Sequence, residues 1–299
     1  MKTNLTGLIA ATHTPFRADG LLNLDVVEKQ AAHLLRDGVS LVFIGGSTGE
    51  SHSLTLDERR RLAERWFAVA KGTPMRVIVH VGSNCLDDAR TLASHAQALG
   101  ATAIAALTPS YFKPTNVDSL VACCSRIAEA AERTPFYFYD IPVLTHVSLP
   151  MPEFLEAASD RIPNLAGLKF TNNDLVSLQT CLRIADGKFD ILFGMDEILL
   201  AALSFGVRGA VGSTYNFAAP LYHRLIAAFD RGDFAAARRE QLRSVELVGI
   251  LAKRGFMASA KAMMGFLGVP VGPARLPHEN LSPGRIDELR RELESHGPW

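Results

Sequence analysis

The stretch RVIVHVGSNCLDDARTLASHAQALGATAIAALTP (76–109) decides the fold. Its two ends, RVIVHVG (76–82) and TAIAALTP (102–109), are short apolar runs. They lack polar alternation, as strands covered on both faces do. Between them DDARTLASHAQALG (87–100) carries apolar residues at helical spacing, with Asp87 as candidate cap and Gly100 as terminator. Strand, helix and strand follow one another within one short segment.

The same unit recurs on either side. Further runs are GLIAATHTP (7–15), SLVFIGGSTGE (40–50), PFYFYDIP (135–142), LAGLKFT (165–171), FDILFGMDE (189–197) and RGAVGSTYN (208–216), which brings the total to eight. The stretch LTLDERRRLAERWFAVAKG (54–72) reads as another helix, capped by Thr55 or Asp57 and ended by Gly72. Eight strand–helix units favour a (β/α)8 TIM barrel over an open doubly wound sheet, although alternation alone admits both. The last run ends near residue 216, and residues 218–268 then read as helix after helix, more than the single helix that closes a barrel. A Pro/Gly-rich loop (269–284) and a short charged helix (285–297) follow. The expected organisation is an α/β chain with a barrel core over 1–217. A closing helix and C-terminal helical extension over 218–299 would join it in one structural unit.

Composition narrows the class. With 299 residues the chain can bury roughly three quarters of its unfolded surface and needs no disulfide or metal staple. Its 31 basic and 31 acidic residues cancel, which argues against a broad nucleic-acid or membrane footprint. Cys85, Cys123, Cys124 and Cys181 show no C-x-x-C spacing and read as reduced thiols. The segment MKTNLTGLIAATHTPF (1–16) has a short apolar run broken at His13, Thr14 and Pro15, too short for a signal peptide. No run approaches about 18 apolar residues. The expectation is a soluble, cytoplasmic protein.

In a barrel of this kind the active site lies at the C-terminal ends of the strands. Lys169 is the only Lys in any of the eight runs. Alternation puts Gly167, Lys169 and Thr171 on one face and Leu168 and Phe170 on the other. The lysine could snorkel to solvent or act as a Schiff-base amine, which desolvation in an apolar barrel mouth would favour. In FYFYDIP, Tyr137 and Tyr139 share a face. Tyr137 reads as a core residue with one hydrogen bond at its hydroxyl, whereas Tyr139, nearer the strand end, could carry a proton. GGSTGE (45–50) is either a tight turn or a cradle for a carboxylate or phosphate, and it is not a Walker A loop. Asp196 and Glu197 either bind ligand hydroxyls or favour a helix N-terminus. The nine histidines show no metal-ligand spacing, so no metal is expected. His80 reads as a core or barrel-mouth residue.

The set GGSTGE (45–50), YDIP (139–142), GLKFT (167–171) and GSTYN (212–216), in this order, resembles the pyruvate-dependent class I aldolases. These form the dihydrodipicolinate synthase / N-acetylneuraminate lyase superfamily, and the resemblance covers nearly the whole chain. GMDE (194–197) and GPARLP (272–277) resemble the lyase branch. The synthase branch carries an Arg two residues after the motif's proline, where this chain has Leu144.

The resemblance implies aldol cleavage of N-acetylneuraminate to N-acetylmannosamine and pyruvate, with no cofactor and in a homotetramer. Lys169 would be the Schiff-base lysine and Tyr139 the proton donor and acceptor. Ser47 and Thr48 would bind the 2-oxo acid carboxylate, while Thr171, Gly194, Asp196, Glu197 and Ser213 would line the sugar-chain site. Tyr111 matches a tyrosine that some relatives lend across a subunit interface. Departures are His146, where relatives often have Gly, and Asn172-Asn173-Asp174 after the lysine strand. Two rival readings are a superfamily aldolase for other substrates, such as 2-keto-3-deoxy sugar acids or a synthase-like reaction, and a non-catalytic small-molecule sensor.

Overall fold

The structure, a computed structural model, describes residues 4–297 and 299. Met1–Thr3, which open the segment read for a targeting signal, lie outside the described residues, as does Pro298. The eight runs become β1 (Gly7–Ala11), β2 (Leu41–Ile44), β3 (Arg76–His80), β4 (Ala103–Leu107), β5 (Phe136–Asp140), β6 (Leu165–Phe170), β7 (Asp190–Phe193) and β8 (Gly209–Gly212). They form a closed barrel in the order β1 to β8, and the registered pairs are parallel. Every residue of β4 and β5 is buried, which explains why these runs show no polar alternation.

Helices follow the strands: α1 (Val26–Arg36), α2 (Leu56–Ala70), α3 (Leu86–Ala98), α4 (Val117–Ala128), α5 (Pro142–Thr145), α6 (Met151–Ala158), α7 (Leu175–Cys181), α8 (Ile184–Gly187) and α9 (Leu199–Ser204). Thr55, not Asp57, caps α2, through a capping box with Glu58. Asp87 does not cap α3. The chain enters that helix two residues earlier, with Cys85 at the N-cap and its N–H held by Ser83 Oγ at 3.1 Å. Asp87 instead sits in the first turn, where a negative charge meets the helix dipole. After the barrel come α10 (Ala219–Asp230), α11 (Phe234–Ala252), α12 (Phe256–Phe266) and α13 (Pro283–Ser295), the expected helical extension. Among the described residues no helix is long and apolar enough to cross a membrane.

Packing divides the chain into two compact units. One comprises the chain up to Gly7, Arg76–Met195 and Ala201–Val211, and the other Leu8–Met75, Asp196–Leu200 and Gly212–Trp299. In the second unit the C-terminal loop is pinned to the segment after β2. Lys261 Nζ on α12 lies 2.6 Å from Glu50 Oε1, both fully enclosed, and donates to the carbonyls of Thr14 and Pro273. The Arg275 N–H donates to Glu50 Oε2 at 2.8 Å, and its guanidinium pairs with Glu58. The αL backbone at Glu50 (φ 55°) belongs to this locked turn.

Candidate active site

In the first unit the decisive pairing is between β5 and β6. Tyr139 lies opposite Lys169 and Tyr137 opposite Gly167, so the alternation of the two strands is in phase. Lys169 Nζ stands 3.5 Å from the centre of the Tyr139 ring. Lys169 is 4% exposed and Tyr139 3%, so the lysine does not snorkel to water. The Tyr139 ring also meets the edge of His80 on β3, with centroids 5.9 Å apart and planes at 89°. His80 Nε2 accepts from the Leu107 N–H at 3.3 Å, which assigns the ring proton to Nδ1. Tyr137 is the core residue its position suggested. Its hydroxyl donates to Asp190 Oδ2 at 2.8 Å, and burial pushes the phenol pKa well up.

Thr171 and Gly194 are also brought together. A Cβ on Gly194 would overlap Thr171 Oγ1, so only glycine leaves that hydroxyl its space. Thr171 Oγ1 is shut off from solvent and has no hydrogen-bond partner among the described residues. Asp140, on the opposite face of β5 from Tyr139, accepts from Asn172 Nδ2 at 3.1 Å. Burial raises its carboxyl to about 6, with the amide of Asn172 opposing and the charge of Asp174 adding to the rise. Asn172 and Asp174 thus build structure: one ties β6 to Asp140, the other caps α7 through Ser177 N–H.

Tyr111 is not part of a closed cluster in this chain. It is 78% exposed, stacked edge-on with the exposed Phe112, on a loop whose N–H groups donate to Asn84 Oδ1. His146 is exposed and holds an αL backbone (φ 53°), the conformation in which glycine is easiest.

In the second unit the GGSTGE turn presents a hydroxyl pair. Thr48 Oγ1 lies 2.6 Å from Ser213 Oγ, and Ser47 is half-buried. Thr14 Oγ1 donates to the Gly49 carbonyl and fixes the turn. The His13 ring is kept neutral, pushed down to about 3 by burial and by the charge of Lys261.

Asp196 and Glu197 open a short 3-10 turn that leads into α9, so the helix-start reading of these acids is satisfied geometrically. They are not equivalent. Glu197 is half-buried, whereas Asp196 is buried and its Oδ2 accepts from Thr214 N–H (3.1 Å) and Thr214 Oγ1 (2.6 Å). Burial raises the Asp196 carboxyl to about 6, opposed by the Thr214 hydrogen bonds. Among the described residues no group of three or more His, Cys, Asp or Glu could hold a metal ion.

The family profile described as the dihydrodipicolinate synthetase family matches residues 4–296. The chain belongs to the dihydrodipicolinate synthetase family. Within it, the N-acetylneuraminate lyase of Gallus gallus is 40% identical over 298 residues, 98% of this chain and 97% of that one. Among solved structures, the Proteus mirabilis N-acetylneuraminate lyase superposes with a TM-score of 0.96 at 38% identity, covering 99% of this chain and 100% of that one. The native N-acetylneuraminate lyase (sialic acid aldolase) of Aliivibrio salmonicida gives 0.96 at 40%, covering 99% and 98%.

Sequence reasoning missed three features of this family member. The Glu50–Lys261 pair was one, though Lys261 is the lone charge in the otherwise apolar α12, which is a usable signal. The His80 edge on Tyr139 and the polar surroundings of Asp196 left no local signature.

Proposed function

We propose that this chain is a class I aldolase that cleaves N-acetylneuraminate to N-acetylmannosamine and pyruvate through a Schiff base at Lys169. The observation that carries the reading is the buried Lys169 amine against the Tyr139 ring at 3.5 Å. The lyase relatives, similar over almost their full length, supply the substrate class.

In this mechanism Lys169 Nζ adds to the C2 ketone. Tyr139 gives its proton to the departing hydroxyl, so that water leaves and an iminium remains. The resulting phenolate takes the C4 hydroxyl proton. The C3–C4 bond then breaks, its electrons pass into the iminium, and N-acetylmannosamine leaves. Tyr139 protonates C3 of the enamine, and water, deprotonated by the phenolate, hydrolyses the iminium to release pyruvate. Ser47, Thr48 and nearby N–H groups would clamp the carboxylate, and positioning plus fixed dipoles would lower the barrier. Thr171, Gly194, Asp196, Glu197 and Ser213 would face the sugar chain. The buried, unpartnered hydroxyl of Thr171 supports such a contact, because a ligand would satisfy it. No cofactor is required by this sequence of steps.

The same reading includes a cytoplasmic homotetramer in which Tyr111 of one subunit completes a neighbour's site. The exposure of Tyr111 and Phe112 supports that part. The test is incubation with pyruvate and borohydride followed by peptide mass spectrometry. The expected result is a single adduct on Lys169 together with pyruvate release from N-acetylneuraminate. An adduct elsewhere, or none, ends the proposal. An adduct without sialic acid turnover transfers the activity to another 2-oxo sugar acid.

A further inference from the structure

The polar surroundings of Asp196 form a chain. Thr214 Oγ1 is 2.6 Å from Asp196 Oδ2 and 2.7 Å from Tyr222 Oη on α10. Tyr222 Oη is 2.8 Å from Ser244 Oγ on α11, and Ser244 Oγ returns to the Asp196 backbone carbonyl at 3.2 Å. Gln241 Nε2, also on α11, donates to that carbonyl at 3.1 Å. Thr214, Tyr222 and Ser244 are all 0% exposed. The loop therefore contains four oxygen–oxygen contacts, closed upon one residue.

The protons do not suffice for all four contacts when Asp196 is ionised. Thr, Tyr and Ser hydroxyls have one hydrogen each. With a carboxylate, Thr214 donates to Asp196, Tyr222 to Thr214 and Ser244 to Tyr222. The contact from Ser244 to the carbonyl is then without a hydrogen, and it is the longest of the four. With a carboxylic acid every contact is filled in the opposite sense: Asp196 donates to Thr214, Thr214 to Tyr222, Tyr222 to Ser244 and Ser244 to the carbonyl.

We propose that Thr214, Tyr222 and Ser244 are positioning residues that form a reversible hydroxyl chain, through which the C-terminal helices set the charge state of Asp196. For substrate binding this rests on the reading that Asp196 receives a hydroxyl of the sugar chain. Asp196 Oδ1 is suited to do so. It is buried over Gly212, where a Cβ would overlap it, and has no hydrogen-bond partner among the described residues. The titratable groups that face Asp196 are Glu197 on its own turn, Tyr215 beside Thr214, and Tyr222 on α10. From α11 come Ser244 and Gln241, neither of which titrates near neutrality. Burial and the charge of Glu197 favour the acid, and the Thr214 donors together with the Tyr215 hydroxyl favour the carboxylate, so the balance falls at about 6.

The variants act in opposite directions. Tyr222→Phe leaves the single Thr214 hydrogen with only the carboxylate as acceptor in the chain. The acid arrangement is lost, and Asp196 ionises at lower pH. Thr214→Val removes the hydroxyl donor and raises the pH of ionisation, and Thr214→Ser restores it. The measurement is infrared difference titration of protein labelled with 13C-aspartate, referenced to Asp196→Asn, alongside KM for N-acetylneuraminate from pH 5 to 8. Each variant is expected to move the midpoint by about half a pH unit or more, a roughly threefold change in KM at pH 5.5 if the ionised form binds. A purely structural role would shift KM equally at all pH values and leave the infrared midpoints in place. Coincident midpoints, or both variants moving the same way, overturn the chain. If the infrared midpoints separate while KM stays flat, the chain stands and the assignment of Asp196 to the sugar chain fails. Either variant alone decides the sign should the other not fold.

Discussion

Among the described residues two lysines are buried, Lys169 and Lys261, and they are held by different chemistry. Both face an aromatic ring, but Lys261, 4.4 Å from the centre of the Phe16 ring, is also gripped by oxygen: the Glu50 carboxylate at 2.6 Å and the carbonyls of Thr14 and Pro273. The ring that Lys169 faces, at 3.5 Å, is that of a tyrosine, Tyr139. Burial alone therefore does not mark a reactive lysine. An ammonium fixed by a carboxylate and two carbonyls is a charged bolt, which here fastens the C-terminal loop to the turn after β2. An amine stacked on a phenol at a strand end is paired instead with a residue type that can exchange a proton. The comparison also explains why the two residues sit in different elements. The bolt belongs to the extension, and the candidate nucleophile belongs to the barrel.

Lys169→Ala against Lys261→Ala separates the two roles most sharply. The first is expected to abolish turnover and the borohydride adduct while leaving the melting temperature close to wild type. The second is expected to keep the adduct in the folded fraction and to lose about 3–5 kcal/mol of stability, because it strands the buried Glu50 charge. Loss of the adduct in fully folded Lys261→Ala would break the distinction. Next in size is Tyr139→Phe, expected to lower kcat by about 10²–10⁴-fold. The phenyl face remains under the amine, so trapping of pyruvate at Lys169 should continue, and single-turnover kinetics separate the two steps.

A double-mutant cycle sharpens the other half of the comparison. Lys261→Met and Glu50→Gln are each destabilising, while the double variant should recover part of the loss, since it buries no unpaired charge. Recovery will be partial because Glu50 Oε2 also accepts the Arg275 N–H. Denaturant unfolding measures all four corners, and strict additivity would mean that the pair is not coupled.

The smallest effect concerns Asp140, beside Tyr139 in sequence. Its carboxyl is raised from 3.8 to about 6 by burial, so the folded chain binds its proton more tightly than the unfolded chain. Stability from this group is therefore present below about pH 4 and falls as pH rises to about 6. Asp140→Asn keeps the acceptor for Asn172 and should be more stable than wild type at pH 8, by at most about 2–3 kcal/mol, with the gap closing below pH 4. Thermal unfolding across pH checks it, and a gap that widens on acidification would reverse the assigned sign.

Much of the barrel was legible because strand burial is written into local composition. The runs RVIVHVG and TAIAALTP became β3 and β4 within a residue or two of their apolar cores. Alternation put Tyr137 and Tyr139 on one face, and distance to the strand end separated the core phenol bonded to Asp190 from the one that meets Lys169. The cap of α3 was misplaced because Asp87 is a good capping type, and a turn at Ser83 started the helix before it. The two acids at 196–197 looked alike in sequence, yet Thr214 engages only Asp196. Nothing near residue 196 signals a partner eighteen positions later.

The sequence by itself determined the number of strands, their faces, the helical extension and the residue types available at the strand ends. These follow from periodicity, which is a property of the local backbone. The tertiary structure alone decided that Tyr139 stands opposite Lys169, that Glu50 finds Lys261, and that a hydroxyl chain from α10 and α11 reaches Asp196. Strand register and side-chain contact across distant segments are settled by how the whole core packs, and no local pattern encodes that.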